Sequence, residues 1–201
     1  MAKVFRVGLT GNIGSGKTTT GLIFEKLGIP VYRADEKGKY FLDTQPVSLR
    51  IKEEFGPIVT KSDGGIDRKK LAAVVFNDLQ KLEKLNGIIH PLVREDFAKW
   101  VNNQESAPYV IQEAAILFET GQHELFDSII MVTAPKEVRV DRVCRRDGAS
   151  PEEVSQREKH QMEEAGKAAL ADFVIINDGK RAILPQVLEI HGRLSGTSGG
   201  K

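Results

Sequence analysis

A glycine-rich stretch near the N-terminus has the residue types and the spacing to hold a chain of phosphates. Residues 11–18 read GNIGSGKT and match G-x-x-x-x-G-K-[ST] at every fixed position. Glycines let backbone N–H groups turn inward around a phosphate, and a helix that starts directly after the loop adds a favourable dipole. The pattern predicts that Lys17 reaches the β- and γ-phosphates of a nucleotide and that the Thr18 hydroxyl ligates Mg²⁺. The predicted nucleotide-binding residues are Asn12, Ile13, Gly14, Ser15, Gly16, Lys17, Thr18 and Thr19.

This loop lies between a predicted strand and a predicted helix, which disfavours the alternative of a plain glycine-rich turn. Kinases, GTPase switches and motor ATPases share such a loop, so the acceptor half of the site decides the function. Asp35 follows the second predicted strand, at the sheet edge where ligands of open α/β folds bind. Its carboxylate could take a proton from a hydroxyl that attacks the γ-phosphorus. Considered alone, however, Asp35 fits a helix cap better.

Arginines at helical spacing form a second group with chemical potential. Arg139, Arg142 and Arg146 lie three and four residues apart and share one face of a predicted helix. Phosphoryl transfer needs cations of this kind near the transferring oxygens. The alternative is a solvated basic face whose partners are Asp141 and Glu152.

The roles of three further polar residues remain open. Glu113 and Glu119 flank the end of the third predicted strand, where a carboxylate could help to hold Mg²⁺ or pair with an arginine. His90 lies between apolar residues and a proline, which favours a packed or capping role. The four histidines are scattered and Cys144 is the one cysteine, so the sequence predicts no zinc site.

The elements that position these residues alternate between strand and helix. Short apolar runs predict strands at 4–9, 29–32, 109–112, 128–133 and 172–176. Strands separated by helices predict a parallel sheet covered on both faces, with right-handed crossovers. Residues 36–103 interrupt the alternation with amphipathic helical segments separated by Gly, Asp and Pro. Ser150-Pro151-Glu152-Glu153 forms a predicted capping box for a helix that runs on through residues 157–166.

Composition bounds the remaining possibilities. The 29 basic and 28 acidic residues of the 201 leave a net charge of +1, which provides no overall field toward nucleic acid or an anionic membrane. One cysteine, no signal-like apolar N-terminus and no apolar run of roughly 20 residues favour a cytoplasmic protein without a membrane span. We also expect a monomer. Residues 195–201, small and polar, are predicted to be a disordered tail.

Several segments in succession resemble the dephospho-coenzyme A kinase family over essentially the whole chain. They are GLTGNIGSGKT, Asp35, GIIHPLV, ILFETG, RRDGAS…R…Q and ADFVIINDG. The resemblance implies a P-loop NTPase-type α/β fold with a five-stranded parallel sheet flanked by helices. It further implies a single kinase domain at 1–194, a helical substrate-binding insertion at 36–103 and a mobile lid at about 145–168. The implied reaction is ATP-dependent phosphorylation of the ribose 3′-hydroxyl of dephospho-coenzyme A, the last step of coenzyme A biosynthesis.

The same resemblance implies residue roles. Asp35 would act as the base, and Arg142 and Arg146 would contact phosphates as the lid closes, with Lys17 completing the predicted catalytic set. Asn177 would approach the adenine, and Mg²⁺ would accompany ATP. Two departures from the common family pattern stand out, because many members have an acidic residue where this chain has Arg33, and many have a proline in the segment that begins with Glu113.

Two alternatives remain open. Another P-loop small-molecule kinase, acting on a nucleoside, a nucleotide or shikimate, would keep the loop and the arginines but change the insertion. A non-catalytic nucleotide switch would need neither Asp35 nor a substrate-sized helical insertion.

Overall fold

The structure is a computed structural model that describes residues 4–75, 78–104 and 106–197. Its framework is a five-stranded sheet of order β2-β3-β1-β4-β5, in which every strand pair is parallel. This confirms the predicted fold class. The strands are β1 Phe5–Thr10, β2 Val31–Arg33, β3 Tyr109–Glu113, β4 Ser128–Thr133 and β5 Phe173–Ile176.

Helices connect the strands and flank the sheet. In the described chain they are α1 Lys17–Lys26, α2 Ala34–Leu42, α3 Gln45–Phe55, α4 Arg68–Val75, α5 Leu79–Val101, α6 Lys136–Asp147, α7 Pro151–Glu158, α8 Glu164–Leu170 and α9 Ile183–Thr197. Short 3-10 helices span Pro57–Val59 and Gln122–Leu125. No helix of the described residues has the length and apolar character needed to span a membrane.

The sheet has a continuous apolar core because its central strands are covered on both faces. Every residue of β3 is buried, including the polar Gln112 and Glu113 at its end. Such strands read as nearly unbroken apolar runs, which is why the sequence located them. The core joins strand residues to α1 and α9, and its members include Val7, Leu9, Phe24, Ile111, Ile130, Val132, Ile175, Val187 and Ile190.

Strand register brings the functional loops to one edge. Glu113 at the end of β3 is aligned with Leu9 of β1 and with Arg33 of β2. On the other side, Thr133 of β4 is aligned with Ile176 of β5. Since all strands run in the same direction, the loops that follow them leave from the same edge of the sheet.

The chain divides into two compact units. One comprises 1–33 and 101–201, and contains the sheet. The other, Ala34–Trp100, is helical and covers nearly the same residues as the predicted insertion at 36–103. Within this helical unit, Lys37 Nζ lies 3.4 Å from Asp96 Oδ2, which links α2 to α5. Its buried apolar side chains are Val47, Ile51, Val59, Ile66, Leu71, Val75, Ile88, Ile89, Val93 and Phe97.

Two helix boundaries differ from those predicted. The segments on either side of His90 form one helix, α5, which continues through Pro91. Proline removes one helical hydrogen bond, but the buried face of Ile88, Ile89 and Val93 stabilises the helix on both sides. At the other end of the chain, α9 continues to Thr197, so the predicted disordered tail is wrong for 195–197. Residues 198–201 lie outside the described residues.

The capping box before α7 is confirmed, but the length of that helix is not. Ser150 Oγ accepts the Glu153 N–H, and Glu153 Oε2 accepts the Ser150 N–H in return. The helix then ends at Glu158, and α8 begins at Glu164. Residues 159–163 between them are not helical, because they make contacts with distant parts of the sheet unit that are described below.

Candidate active site

The phosphate loop joins β1 to α1 and depends on backbone shapes that only glycine adopts easily. Gly11, Gly14 and Gly16 have φ values of 152°, 80° and 99°, in the region that side chains disfavour. Packing adds a second restriction. A Cβ at Gly16 would lie 2.1 Å from Asn177 Nδ2, and one at Gly14 would lie 2.4 Å from the carbonyl oxygen of Arg139. These glycines therefore serve both the turn and its close contacts with neighbouring residues.

Lys17 begins α1 and folds back over the loop. Its Nζ donates hydrogen bonds to the carbonyl oxygens of Gly11, at 2.8 Å, and Asn12, at 3.4 Å. The side chain is buried, so its charge is held against the first residues of the loop. This arrangement places the cation where a phosphate chain in the loop would meet it.

The loop and its lining contain buried polar atoms without a hydrogen-bond partner among the described residues. They include Asn12 Oδ1 and Ser15 Oγ in the loop and Nη1 of Arg142 in α6. A buried polar atom left unpaired costs about 1–3 kcal/mol, so an isolated fold gains nothing from such a cluster. Acceptor and donor groups of this kind are suited to a polar ligand.

Thr18 is linked to the end of the neighbouring strand. Its hydroxyl donates a 2.7 Å hydrogen bond to Glu113 Oε1. Glu113 Oε2 lies 3.9 Å from Arg33 Nε, and Arg33 also binds Glu25 at 2.7 Å. Arg33, one departure from the common family pattern, and Glu113, which begins the segment of the other, are thus cross-strand neighbours of opposite charge.

Thr18 and Glu113 provide oxygen atoms of the kind that Mg²⁺ prefers. Magnesium sites usually use one or two protein oxygens and are completed by waters and substrate phosphates. Thr18 Oγ1 and the buried Glu113 carboxylate, joined beside the phosphate loop, fit that requirement. The sequence had left Glu113 open, and its position next to Thr18 follows from strand order, which a single sequence does not reveal.

Arg142 and Asn177 approach the other side of the loop. Asn177, directly after β5, donates from Nδ2 to the carbonyl oxygen of Ser15 at 2.7 Å. Its Oδ1 accepts a 3.2 Å hydrogen bond from Arg142 Nη2. Both predicted residues are thus brought to the phosphate loop, and Asn177 fixes the orientation of the arginine.

Arg139 differs from the prediction of a phosphate-binding face. Its side chain is buried, with Nε donating to the carbonyl oxygen of Ala134 and Nη1 donating to that of Ile13. It also forms ion pairs with Glu158 and Glu164, neither of which had been considered as its partner. Burial raises the pKa of Glu164, and the Arg139 charge opposes that shift. Arg139 therefore ties α6 to α7, α8 and the phosphate loop.

Arg146 lies at the end of α6 and is mostly exposed. Its Nε binds Asp147 Oδ1 at 2.7 Å, and Arg157 of α7 binds the other oxygen of Asp147 at 3.1 Å. The hydrogen bond from Arg146 lowers the pKa of Asp147. Arg146 and Arg157 thus share Asp147 as a common partner.

Glu119 proves to be part of a buried ion pair. Its Oε1 lies 2.6 Å from Nζ of Lys167, whose side chain is fully buried, and it accepts the Met162 N–H at 2.8 Å. Lys167 also donates to the carbonyl oxygen of Ala115 at 3.1 Å. Glu119 thus fastens α8 and residues 159–163 to the segment after β3.

Sequence reasoning missed Gln161. Its Oε1 accepts a 2.9 Å hydrogen bond from the Ile13 N–H of the phosphate loop. In the sequence, the only indication was the glutamine of the segment RRDGAS…R…Q, which resembles the family. Nothing in that segment indicated what the glutamine does. Long-range contacts of this kind leave no local pattern.

Asp35 belongs to the helical unit. It is exposed, lies in the first turn of α2 and follows the last residue of β2 by two positions. Within the same unit it acts on His90 of α5. Burial and the charge of Arg94 lower the pKa of His90, whereas Asp35 opposes that shift.

A parallel sheet of this order, with a G-x-x-x-x-G-K-T loop between its central strand and α1, defines a P-loop nucleotide-binding protein. The family model described as "Dephospho-CoA kinase" matches residues 5–182. A dephospho-CoA kinase from Bacteroides fragilis is 41% identical over 188 residues, 92% of this chain and 90% of the relative. The chain belongs to the dephospho-CoA kinase family, as the resemblance had indicated, and is an enzyme.

Solved structures share the fold of this chain. A Thermus thermophilus protein, TT1252, has a TM-score of 0.86 at 34% identity, with 96% of this chain and 98% of that chain covered. A dephospho-CoA kinase from Campylobacter jejuni has a TM-score of 0.69 at 27% identity, with the same coverage. The family result favours the main functional hypothesis over the alternatives of another small-molecule kinase or a nucleotide switch.

Proposed function

We propose that this enzyme transfers the γ-phosphoryl group of ATP to the ribose 3′-hydroxyl of dephospho-coenzyme A, giving coenzyme A and ADP. One observation carries the proposal: a complete phosphate loop, with Lys17 folded over it and Thr18 bonded to Glu113, in a chain of this family. The loop accounts for the donor half of the reaction, and family membership identifies the acceptor.

Asp35 is the proposed general base. Its carboxylate removes the proton of the 3′-hydroxyl as the oxygen attacks the γ-phosphorus. The new oxygen–phosphorus bond forms while the bond between the γ-phosphorus and the bridging oxygen breaks, and ADP leaves with that oxygen. Asp35 is exposed and lies two residues after the end of β2, which suits a group that must meet a substrate.

Cations and backbone donors stabilise the charge that develops on the phosphoryl oxygens. In this proposal Lys17 and the N–H groups of the loop bind the phosphate chain, and Arg142 donates from its buried, unpaired Nη1. Arg146 joins them when it exchanges Asp147 for phosphate oxygens. In this proposal the change of partner accompanies closure of the lid at about 145–168. Lid closure would also exclude water from the site.

We infer that Mg²⁺ accompanies ATP and that Thr18 and Glu113 hold it, directly or through water. When bound, the metal neutralises charge on the β- and γ-phosphates. Glu113 keeps the Thr18 hydroxyl oriented, and Arg33 limits the electrostatic cost of burying that carboxylate. Asn177 is the proposed neighbour of the adenine, held in place by Ser15 and Arg142. We further propose that the protein is a cytoplasmic monomer. Its substrates in this proposal are ATP and dephospho-coenzyme A, and it binds neither nucleic acid nor membrane.

The test is an acceptor scan with the purified protein. ADP release is measured with Mg²⁺ and ATP in the presence of dephospho-coenzyme A, AMP, adenosine or shikimate, and product mass is determined for each active acceptor. We expect stimulation by dephospho-coenzyme A, with one phosphate added at the 3′ position. Phosphorylation of another acceptor, with none of dephospho-coenzyme A, would overturn the substrate assignment.

A further inference from the structure

Residues 159–163, between α7 and α8, leave helical structure and contact the phosphate loop. The Ile13 N–H donates to Gln161 Oε1 at 2.9 Å, and Asn12 Nδ2 donates to the carbonyl oxygen of Met162 at 3.4 Å. On its other side Ile13 is held by Arg139, which donates to its carbonyl oxygen. Ile13, the third residue of the loop, is thus hydrogen-bonded through both its N–H group and its carbonyl oxygen.

The position of Gln161 is fixed by its neighbour. The Met162 N–H donates to Glu119, and Glu119 is paired with the buried Lys167. A buried ion pair with good geometry holds its surroundings rigidly, because breaking it leaves an uncompensated charge. Gln161 is therefore presented to the loop by a backbone that Glu119 holds in this arrangement, although it lies outside any helix.

The loop residues that Gln161 touches lie at the γ-phosphate end. In loops of this sequence the lysine reaches the β- and γ-phosphates. Here Lys17 Nζ lies against Gly11 and Asn12, directly before the residue that binds Gln161. Gln161 is thus bonded to the loop residue that directly follows the two contacted by the Lys17 ammonium.

A glutamine amide has an acceptor oxygen and a nitrogen with two donor hydrogens. The Ile13 N–H requires that the oxygen face the loop, which fixes the orientation of the whole amide. No acceptor among residues 4–75, 78–104 and 106–197 is bonded to Gln161 Nε2. Two donors of a half-buried amide are thus held beside the loop and are available to a ligand.

We propose that Gln161 is a catalytic residue that donates from Nε2 to the γ-phosphoryl group of ATP, while its oxygen remains bonded to the Ile13 N–H. This rests on the proposed function, because it requires ATP as the phosphoryl donor. The contact strengthens as charge grows on the transferring oxygens, so it contributes to the rate as well as to binding. It also gives the segment between α7 and α8 a direct contact with the group being transferred.

Two substitutions distinguish the contribution of the Gln161 donor, Nε2, from that of its acceptor, Oε1. Gln161→Glu keeps an oxygen for the Ile13 N–H but replaces the donor with a charge that repels phosphate. Gln161→Ala removes both. The matched control is Gln156→Glu, the same change of charge at an exposed position of α7. Thermal unfolding of each variant verifies that the fold is retained.

Calorimetric affinities for Mg²⁺-ADP and for a non-hydrolysable Mg²⁺-ATP analogue provide the primary test. We expect about tenfold weaker binding of the ATP analogue to Gln161→Glu, with ADP affinity unchanged within about twofold. With dephospho-coenzyme A as acceptor, kcat should fall on the order of 10²-fold, as for removal of one oxyanion donor. Gln156→Glu should match the wild-type protein in all three measurements.

Three results would overturn the inference. Equal loss of ADP and ATP-analogue affinity would make Gln161 only a support for the loop. Unchanged behaviour of Gln161→Glu would exclude a donor role, and tighter analogue binding by Gln161→Ala would mean that glutamine and phosphate compete for the Ile13 N–H. Wild-type protein that binds the analogue but does not phosphorylate dephospho-coenzyme A would instead contradict the proposed function, so the two failures are distinguishable.

Discussion

The Thr18 hydroxyl and the Glu113 carboxylate are joined by a 2.7 Å hydrogen bond at the point where the first turn of α1 passes the end of β3. Arg33, on the adjacent strand, approaches the other oxygen of the same carboxylate. The polar environment of the proposed metal site is therefore shared by three elements of the sheet unit, α1, β2 and β3, and the first prediction concerns its charge.

Replacing Glu113 with glutamine should weaken the response to magnesium. The amide keeps an acceptor for Thr18 but loses the negative charge, and changes of groups next to a metal typically weaken its binding 10–100-fold. We expect the Mg²⁺ concentration for half-maximal activity to rise about tenfold. Binding of ATP measured without the metal should change little. Glu124→Gln, on an exposed residue of the 3-10 helix, is the charge-matched control, and an equal effect there would contradict a role for Glu113.

Asp35→Asn should abolish transfer while sparing nucleotide binding. A lost general base lowers kcat by about 10²–10⁴-fold, whereas the ATP-binding loop belongs to the other structural unit. Steady-state ADP release and direct binding of an ATP analogue measure the two effects separately. Glu36→Gln changes the next acidic residue, which is also exposed in the first turn of α2, and should retain activity. A parallel loss of ATP affinity in Asp35→Asn would rule out the assignment of the base.

Glu119→Gln should destabilise the fold strongly. The amide still accepts the Met162 N–H, but the fully buried ammonium of Lys167 loses its counter-charge. Removing one partner of a buried pair costs about 3–5 kcal/mol. Urea denaturation should therefore show a lower free energy of unfolding, and the double variant Glu119→Gln/Lys167→Met should recover part of it.

The exposed pair of Arg193 and Glu189 provides a control for this measurement. Glu189→Gln should lower the free energy of unfolding by no more than about 0.5 kcal/mol, because solvent screens such pairs. If Glu119→Gln and Glu189→Gln lowered the free energy of unfolding by similar amounts, the burial of Lys167 would contribute nothing to the cost of losing its partner.

Acidification should destabilise the helical unit through His90. Burial and Arg94 lower its pKa in the folded protein, so between the folded and the unfolded pKa the unfolded chain binds more protons. Stability is then complete above the unfolded pKa, near 6.5, and decreases as pH falls through that value toward the folded one. Denaturation midpoints between pH 8 and pH 5 should fall less in His90→Gln than in the wild-type protein. His160→Gln is the comparison variant, and an identical pH profile for wild type and His90→Gln would refute the prediction.

The sequence predicted the parts of the site that are encoded locally. The phosphate loop, the five strands and the cap at Ser150 depend on neighbouring residues, so motif and periodicity were sufficient to find them. The family resemblance, which relies on the order of many segments, added the identity of the acceptor.

What the sequence could not predict depends on contacts between distant segments. The pairing of Arg33 with Glu113 requires that β2 lie beside β3, which strand periodicity does not specify. The interruption of the helix at 159–163 arises from the bonds of Gln161 to Ile13 and of Met162 to Glu119, which outweigh helical propensity there. Arg139 shares a helix face with Arg142, but only tertiary packing distinguishes the buried residue from the one near the ligand.

The close approach of Gly16 and Asn177 limits how this chain could be altered by directed evolution. Any side chain at residue 16 meets Asn177 at once, and Asn177 in turn fixes Ser15 and Arg142. A random library that varies the loop alone would therefore return almost only glycine at this position. A smaller residue at 177 would relieve this contact, but it would leave the strain of a side chain at a φ of 99° and would abandon the orientation of Arg142.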